Sequence, residues 1–289
     1  MRVSQFIKSF TLAFLGTLLI SCGINYEGDN MPNISGLKNK LQTIPQKKWD
    51  ILKEKKVYFG HKSVGANIMQ GIDIVKSEYP AIDFTILETD KAESFINPIW
   101  GHSKIGTNTK PLTKIDAFRD ILDQGLGNKL DIAFMKLCYV DITEGTDIDM
   151  VFNYYTQTIK NLQKKYPRIK FIHFTVPLTS SKQVDVKDRV KDIIKGIIGK
   201  RTIMDINLAD NIARDKYNGL LKKNYHGKEL FDLAAYESMY PDGKKETCQK
   251  DGKLYQCLIS DYTYDGGHLN GFGKEIIASN LLLFLSELY

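Results

Sequence analysis

Apolar positions fall into short continuous runs, separated by longer stretches in which they recur every three or four residues. The runs lie at 56–60 (KVYFG), 82–87 (IDFTIL), 131–135 (DIAFM), 169–174 (IKFIHF) and 202–206 (TIMDI). Unbroken apolar runs of this length read as strands buried on both faces, the pattern of a parallel sheet. The stretches at about 64–78, 114–124, 148–165, 185–199 and 271–287 read as helices. In the third, Val151, Tyr155, Ile159, Leu162 and the following Tyr166 form a core-facing stripe. Alternating strands and helices imply an α/β protein: a three-layer α/β/α sandwich around a five-stranded parallel sheet, with no second domain. Two segments, 88–113 and 214–264, are too long for simple connections and read as functional loops. Sites in open parallel sheets form beyond the carboxyl ends of the strands. Ser63 and the loops 101–111, 136–143 and 261–268 are expected to meet there.

The first 22 residues stand apart from this pattern. Arg2 and Lys8 precede the apolar run FTLAFLGTLLIS, which is too short to span a membrane as a mature helix. The run ends in Leu19-Ile20-Ser21-Cys22, which resembles the lipobox of bacterial lipoproteins. That reading divides the chain into a signal peptide with the lipobox cysteine (1–22), a polar tether (23–40) and one domain (41–289). It places the protein in the bacterial cell envelope, held on the membrane by acyl chains on Cys22. With 43% apolar residues the chain is not disordered. The net charge of +6 comes from scattered lysines without a nucleic-acid motif, so no nucleic-acid partner is expected. Cys248 and Cys257 flank QKDGKLYQ, a hairpin turning at Asp251-Gly252, and a disulfide between them suits an exported domain. Cys138 follows an apolar strand and reads as a small buried hydrophobe.

Candidate chemistry lies at the two ends of the domain. Asp265-Gly266-Gly267-His268 precedes the last helix, and a carboxylate three residues before a histidine can fix its tautomer and leave the other nitrogen as a base. Ser63 follows the first strand, in VYFGHKSVGANI. A serine there is a helix N-cap in the simplest reading; the chain order Ser…Asp…His gives it the alternative of a nucleophile. Asp261 and Asp265 lack the spacing of a calcium loop. His61 and His102 read as loop or substrate-contact residues, His173 as a core histidine, and Lys136 with Asp141 as a possible ion pair. Asp232 and Glu237 read as a solvated loop face.

These blocks resemble the SGNH/GDSL hydrolases, most specifically in DGGHLNGFGKEIIA, over residues 56 to 289, and the resemblance implies a flavodoxin-like sandwich. The resemblance implies a serine ester hydrolase with Ser63 as nucleophile, His268 as base and Asp265 as its orienting carboxylate. It implies an oxyanion hole from the backbone N–H groups of Ser63 and Gly106, and it needs no metal and no cofactor. Two blocks depart from the family pattern. Gly-Asp-Ser becomes Gly60-His61-Lys62-Ser63. Gly-x-Asn-Asp becomes Cys138-Tyr139-Val140-Asp141, so Asp141 aligns while Val140 replaces the oxyanion asparagine, and Asn108 is the candidate substitute. The expected partner is an ester-bearing small molecule or a glycan, such as a carbohydrate O-acetyl ester, with Trp100, Tyr139, Tyr236 and Tyr240 as stacking surfaces. A non-catalytic lipoprotein that binds a glycan or protein, and an O-acyltransferase using the same residues, are the alternatives.

Overall fold

A computed structural model describes residues 34–182 and 200–289. The lipobox with Cys22 and the helix expected at 185–199 lie outside them.

The centre is a parallel sheet of β1 (Val57–His61), β2 (Ile86–Glu88), β3 (Trp100–Lys104), β4 (Ile132–Met135), β5 (Lys170–Phe174) and β6 (Leu230–Phe231), in the order β2-β3-β1-β4-β5-β6. Side chains alternate faces along a strand, and here both faces are covered. Phe59, Phe134 and Ile172 point into one apolar layer; Tyr58, Ala133 and Phe171 point into the other. The first layer is closed by α1 (Ser35–Thr43), α2 (Gln46–Lys53), α3 (Val64–Glu78) and the last helix, which runs Gly271–Ser286. The second is closed by α4 (Pro111–Asp123), α5 (Ile148–Lys165) and α6 (Ile203–Asn224). This is a three-layer α/β/α sandwich. The stripe Val151, Tyr155, Ile159 and Leu162 is buried on α5.

The sheet has six strands rather than five, and one expected strand is absent. Residues 202–206 open α6. Thr202 Oγ1 accepts the Asp205 N–H at 3.0 Å, and the Asp205 carboxylate accepts the Thr202 N–H at 2.9 Å. That reciprocal cap starts a helix and overrides the apolar run. The stretch 88–113 holds β3, whose polar residues find partners across the sheet: Ser103 with Tyr58 at 2.7 Å, and His102 with His61 at 3.0 Å. Residues 214–264 hold the second half of α6, the edge strand β6, the short helix α7 (Leu233–Glu237) and an antiparallel hairpin, β7 (Thr247–Lys250) with β8 (Lys253–Gln256). Asp251 and Gly252 turn it with positive φ of 49° and 78°, the conformation a tight hairpin requires. Cys248 and Cys257 are joined as a disulfide, Cα atoms 5.9 Å apart.

Part of the expected tether is folded. In α1, Leu41 is buried, Leu37 packs beside it one turn away, and Lys38 bridges Glu78 and Glu275. The helix that closes the chain is α8 (Gly271–Ser286). It is capped by Asn270, which accepts the Gly273 N–H.

Candidate active site

The turn between β1 and α3 carries Ser63 in a backbone conformation that L-residues rarely adopt, φ 53° and ψ −114°. Strain of this kind persists where surrounding structure holds it, often at functional sites. Ser63 stands at the N-cap position of α3, yet its side chain makes no capping bond. Its Oγ instead lies 2.6 Å from His268 Nε2. His268 Nδ1 lies 2.6 Å from Asp265 Oδ2. The three side chains form one continuous relay. The carboxylate fixes the proton on Nδ1, which leaves Nε2 to accept from the serine hydroxyl.

The loop bearing the pair is held from several sides. Asp265 Oδ1 accepts the N–H groups of Gly267 and His268, at 3.0 and 2.7 Å. Burial pushes the Asp265 carboxyl up, but the hydrogen bonds from His268 and these N–H groups outweigh it and hold it below the ordinary carboxylate range. Thr263 Oγ1 donates to the His268 carbonyl and accepts the Gly266 N–H, and buried Asn67 of α3 accepts the Leu269 N–H at 3.1 Å. Asn67 is one helical turn from Ser63, so serine and histidine are referenced to the same helix. Sequence reading did not find Thr263, whose hydroxyl meets Gly266 and His268 only in the folded turn, or Asn67, which meets Leu269 across 202 positions.

The neighbouring loops are stitched to the serine turn. Lys62 Nζ donates to the Gly106 carbonyl. Gly106 has φ of +54°, and a Cβ there would fall 2.5 Å from Lys114 N, so only glycine fits. Among the described residues, neither the Ser63 nor the Gly106 N–H has a hydrogen-bond acceptor. The Asp141 side chain is sealed from solvent. It is buried, paired with Lys114 Nζ at 2.5 Å, and accepts the N–H groups of Cys138 and Thr109 at 2.6 and 2.9 Å. The expected Lys136–Asp141 pair is thus replaced by Lys114–Asp141. Lys136 is buried against the Leu137 carbonyl and Cys138 Sγ. Asn108 is exposed, its Oδ1 taken by Lys114 Nζ at 2.9 Å.

Other expected contacts fall elsewhere. Trp100 is in the core, while Tyr236 and Tyr240 line a separate groove with Leu37 and Ile276. Glu237 is not solvated: it is buried, accepts the Leu178 N–H at 2.7 Å, and burial pushes its carboxyl up to about 8. Asp232 caps α7 and pairs with Lys222. His61 is buried and its ring meets His102; burial pushes it down to about 2, so it stays neutral and is no second base. Of the four aromatic candidates only Tyr139 reaches His268, joined there by exposed Tyr264, whose ring stacks at 6.1 Å.

No family model and no curated protein matches this chain. Similar solved structures include a protein assigned as a GDSL-like lipase from Parabacteroides merdae, at 11% identity and TM-score 0.45, covering 82% of this chain and 97% of that one. Another is the periplasmic domain of a lipopolysaccharide acetyltransferase from Salmonella ser. Paratyphi A, at 15% identity and TM-score 0.40, covering 84% and 93%. Likenesses this distant leave the functional reading to the residues themselves.

Proposed function

We propose that this chain is a serine ester hydrolase of the SGNH type that works through an acyl-enzyme. The observation that carries the reading is the relay Ser63–His268–Asp265, with both links at 2.6 Å. Ser63 Oγ attacks the ester carbonyl carbon, the carbonyl π pair moves to oxygen, and the serine proton passes to His268 Nε2. Collapse of the tetrahedral species breaks the bond to the leaving alcohol, which takes that proton. Water then attacks the acyl-serine, gives its proton to Nε2, and release of the acid returns the proton to Ser63. The N–H groups of Ser63 and Gly106 stand ready for the oxyanion. A sugar hydroxyl in place of water would make the same residues an acyltransferase.

The substrate reading is a carbohydrate O-acetyl ester. Tyr264, 58% exposed beside His268, supports it by offering a ring at the rim on which a sugar face can rest. A location outside the cytoplasm, on a lipid anchor, is supported by Leu19-Ile20-Ser21-Cys22 and by the disulfide. Among the described residues no helix is long and apolar enough to cross a membrane.

The test is hydrolysis of 4-nitrophenyl acetate together with labelling by a serine-directed phosphonate. Ser63→Ala should abolish both, and His268→Ala should cost nearly as much. Asp265→Ala should cost less, because orientation is only partly lost. Full esterase activity in Ser63→Ala would refute the nucleophile. A wild type that neither turns over esters nor takes the label would replace this reading with a glycan- or protein-binding lipoprotein.

A further inference from the structure

Cys138 stands where the family pattern has glycine, and it takes no part in the relay. Its sulfur is buried against the serine turn, 3.5 Å from the Lys62 carbonyl oxygen and 3.7 Å from Lys136 Nζ. A carbonyl only accepts, so the thiol hydrogen lies on the Lys62 side, while Lys136 donates to the sulfur. The cysteine backbone is itself pinned. Its N–H donates to Asp141 Oδ2 at 2.6 Å, and its carbonyl accepts the Asp141 N–H at 2.9 Å.

The carbonyl that takes the thiol hydrogen belongs to the peptide that carries the Ser63 N–H. A trans peptide is planar, with its N–H directed opposite to its C=O. The Lys62 carbonyl also accepts the Gly65 N–H at 3.0 Å, the bond that closes the turn. Cys138 fills its second lone pair from outside the turn. The carbonyl is thus aimed at buried Cys138, and the Ser63 N–H points the other way, where among the described residues it meets no acceptor. This orientation gives Ser63 its φ of 53°, unfavourable for an L-residue. Rotating the Lys62–Ser63 peptide would return φ to negative values and turn the N–H aside. The thiol contact opposes that rotation, as a strained conformation requires of its surroundings.

We propose that Cys138 is a positioning residue for the reaction: its thiol holds the Lys62–Ser63 peptide in the orientation that presents the Ser63 N–H to the oxyanion. This rests on the acyl-enzyme reading above, in which that N–H is an oxyanion donor. The thiol neither touches the substrate nor transfers a proton. Hydrogen bonds in series polarise one another, so the chain from Lys136 through Cys138 to the Lys62 carbonyl also strengthens the Ser63 N–H as a donor.

The experiment compares Cys138→Ala and Cys138→Ser in the full chain, with 4-nitrophenyl acetate as the probe. Cys138→Ala should lower kcat by about 10-fold, the worth of one net hydrogen bond. KM should stay within about 2-fold, because the oxyanion exists only in the transition state. The acid limb of kcat/KM should not move, since His268 and Asp265 are untouched. Cys138→Ser keeps a donor and should stay within about 3-fold of wild type. A kcat for Cys138→Ala within about 3-fold of wild type, or equal losses in the two variants, overturns the proposal; equal losses would make the side chain packing alone. If Cys138→Ala does not fold, the infrared S–H band decides, taken as the difference between wild type and Cys138→Ser. It should lie below the frequency of an unbonded thiol, and a band at the unbonded position overturns the proposal equally. An active wild type silenced by Ser63→Ala keeps the acyl-enzyme reading when the Cys138 variants show no effect, whereas a wild type without esterase activity overturns both.

Discussion

Asp141→Ala should destabilise the domain severely while leaving substrate affinity almost untouched. The carboxylate is sealed with Lys114, each side chain at 0% exposure, and it receives one ammonium and two backbone N–H groups. Its removal leaves the Lys114 ammonium with only Asn108 Oδ1 at 2.9 Å. An uncompensated buried charge costs about 3–5 kcal/mol. The freed Cys138 N–H is also buried and adds about 1 kcal/mol or more, whereas the Thr109 N–H lies in an exposed loop and can turn to water. A total of about 4–6 kcal/mol is a large part of the 5–15 kcal/mol that holds a typical domain together. At about 2–4 °C per kcal/mol for a domain of this size, Tm should fall by roughly 10 °C or more. Lys114→Met should cost less, because the carboxylate keeps two N–H hydrogen bonds and can take up a proton. The double variant Lys114→Met/Asp141→Ala should be more stable than Asp141→Ala alone, since it removes the orphaned ammonium. Urea and thermal unfolding of the four proteins measure this, with KM for 4-nitrophenyl acetate beside them. If Asp141→Ala raises KM several-fold and shifts Tm by less than about 3 °C, the carboxylate touches substrate and the structural account is wrong.

Three further outcomes follow from particular groups. His61 and His173 are pushed down to about 2 and about 3 by burial, and Glu237 is pushed up to about 8. Between pH 6.5 and 4.5 the unfolded chain binds a proton at each histidine that the folded one does not, while folded Glu237 holds a proton that the unfolded chain has lost. The two histidines make stability fall as pH falls and Glu237 opposes them, so these three groups leave one net proton, a loss of about 1.4 kcal/mol per pH unit, to which His102, also pushed down by burial, adds in the same direction. Glu237→Gln should therefore steepen the acid slope of urea-unfolding stability by about 1.4 kcal/mol per pH unit, and an unchanged slope would show that Glu237 is ionised in the fold. Asn108→Ala should change kcat by less than about 3-fold because its oxygen is tied to Lys114; a 10²-fold loss would give it the oxyanion role instead. Cys22→Ala should leave the precursor unlipidated and out of the detergent phase, and normal partitioning of that variant would remove the anchor.

Sequence by itself determined the sandwich and the two ends of the relay. Strands β1, β4 and β5 are legible because both faces are buried, so nearly every position is apolar; α5 is legible because its stripe follows the helical period. The pairing of Asp265 with His268 is local, three residues along one turn, and so it was readable in one dimension. Tertiary structure decided the rest. Strand β3 carries His102 and Ser103, whose polarity is satisfied only by His61 and Tyr58 on the adjacent strand, and no local pattern announces such a strand. The run at 202–206 has the composition of a strand, but the Thr202–Asp205 cap makes it a helix. The contact between Ser63 and His268 spans 205 residues and depends on α3 packing against α8. Asp141 stands where the resemblance expects a site carboxylate, yet its partner was fixed by Lys114 arriving from α4. Local periodicity reports burial, because burial imposes a repeat on the chain; it does not report which buried groups meet, because that follows from the packing of elements distant in sequence.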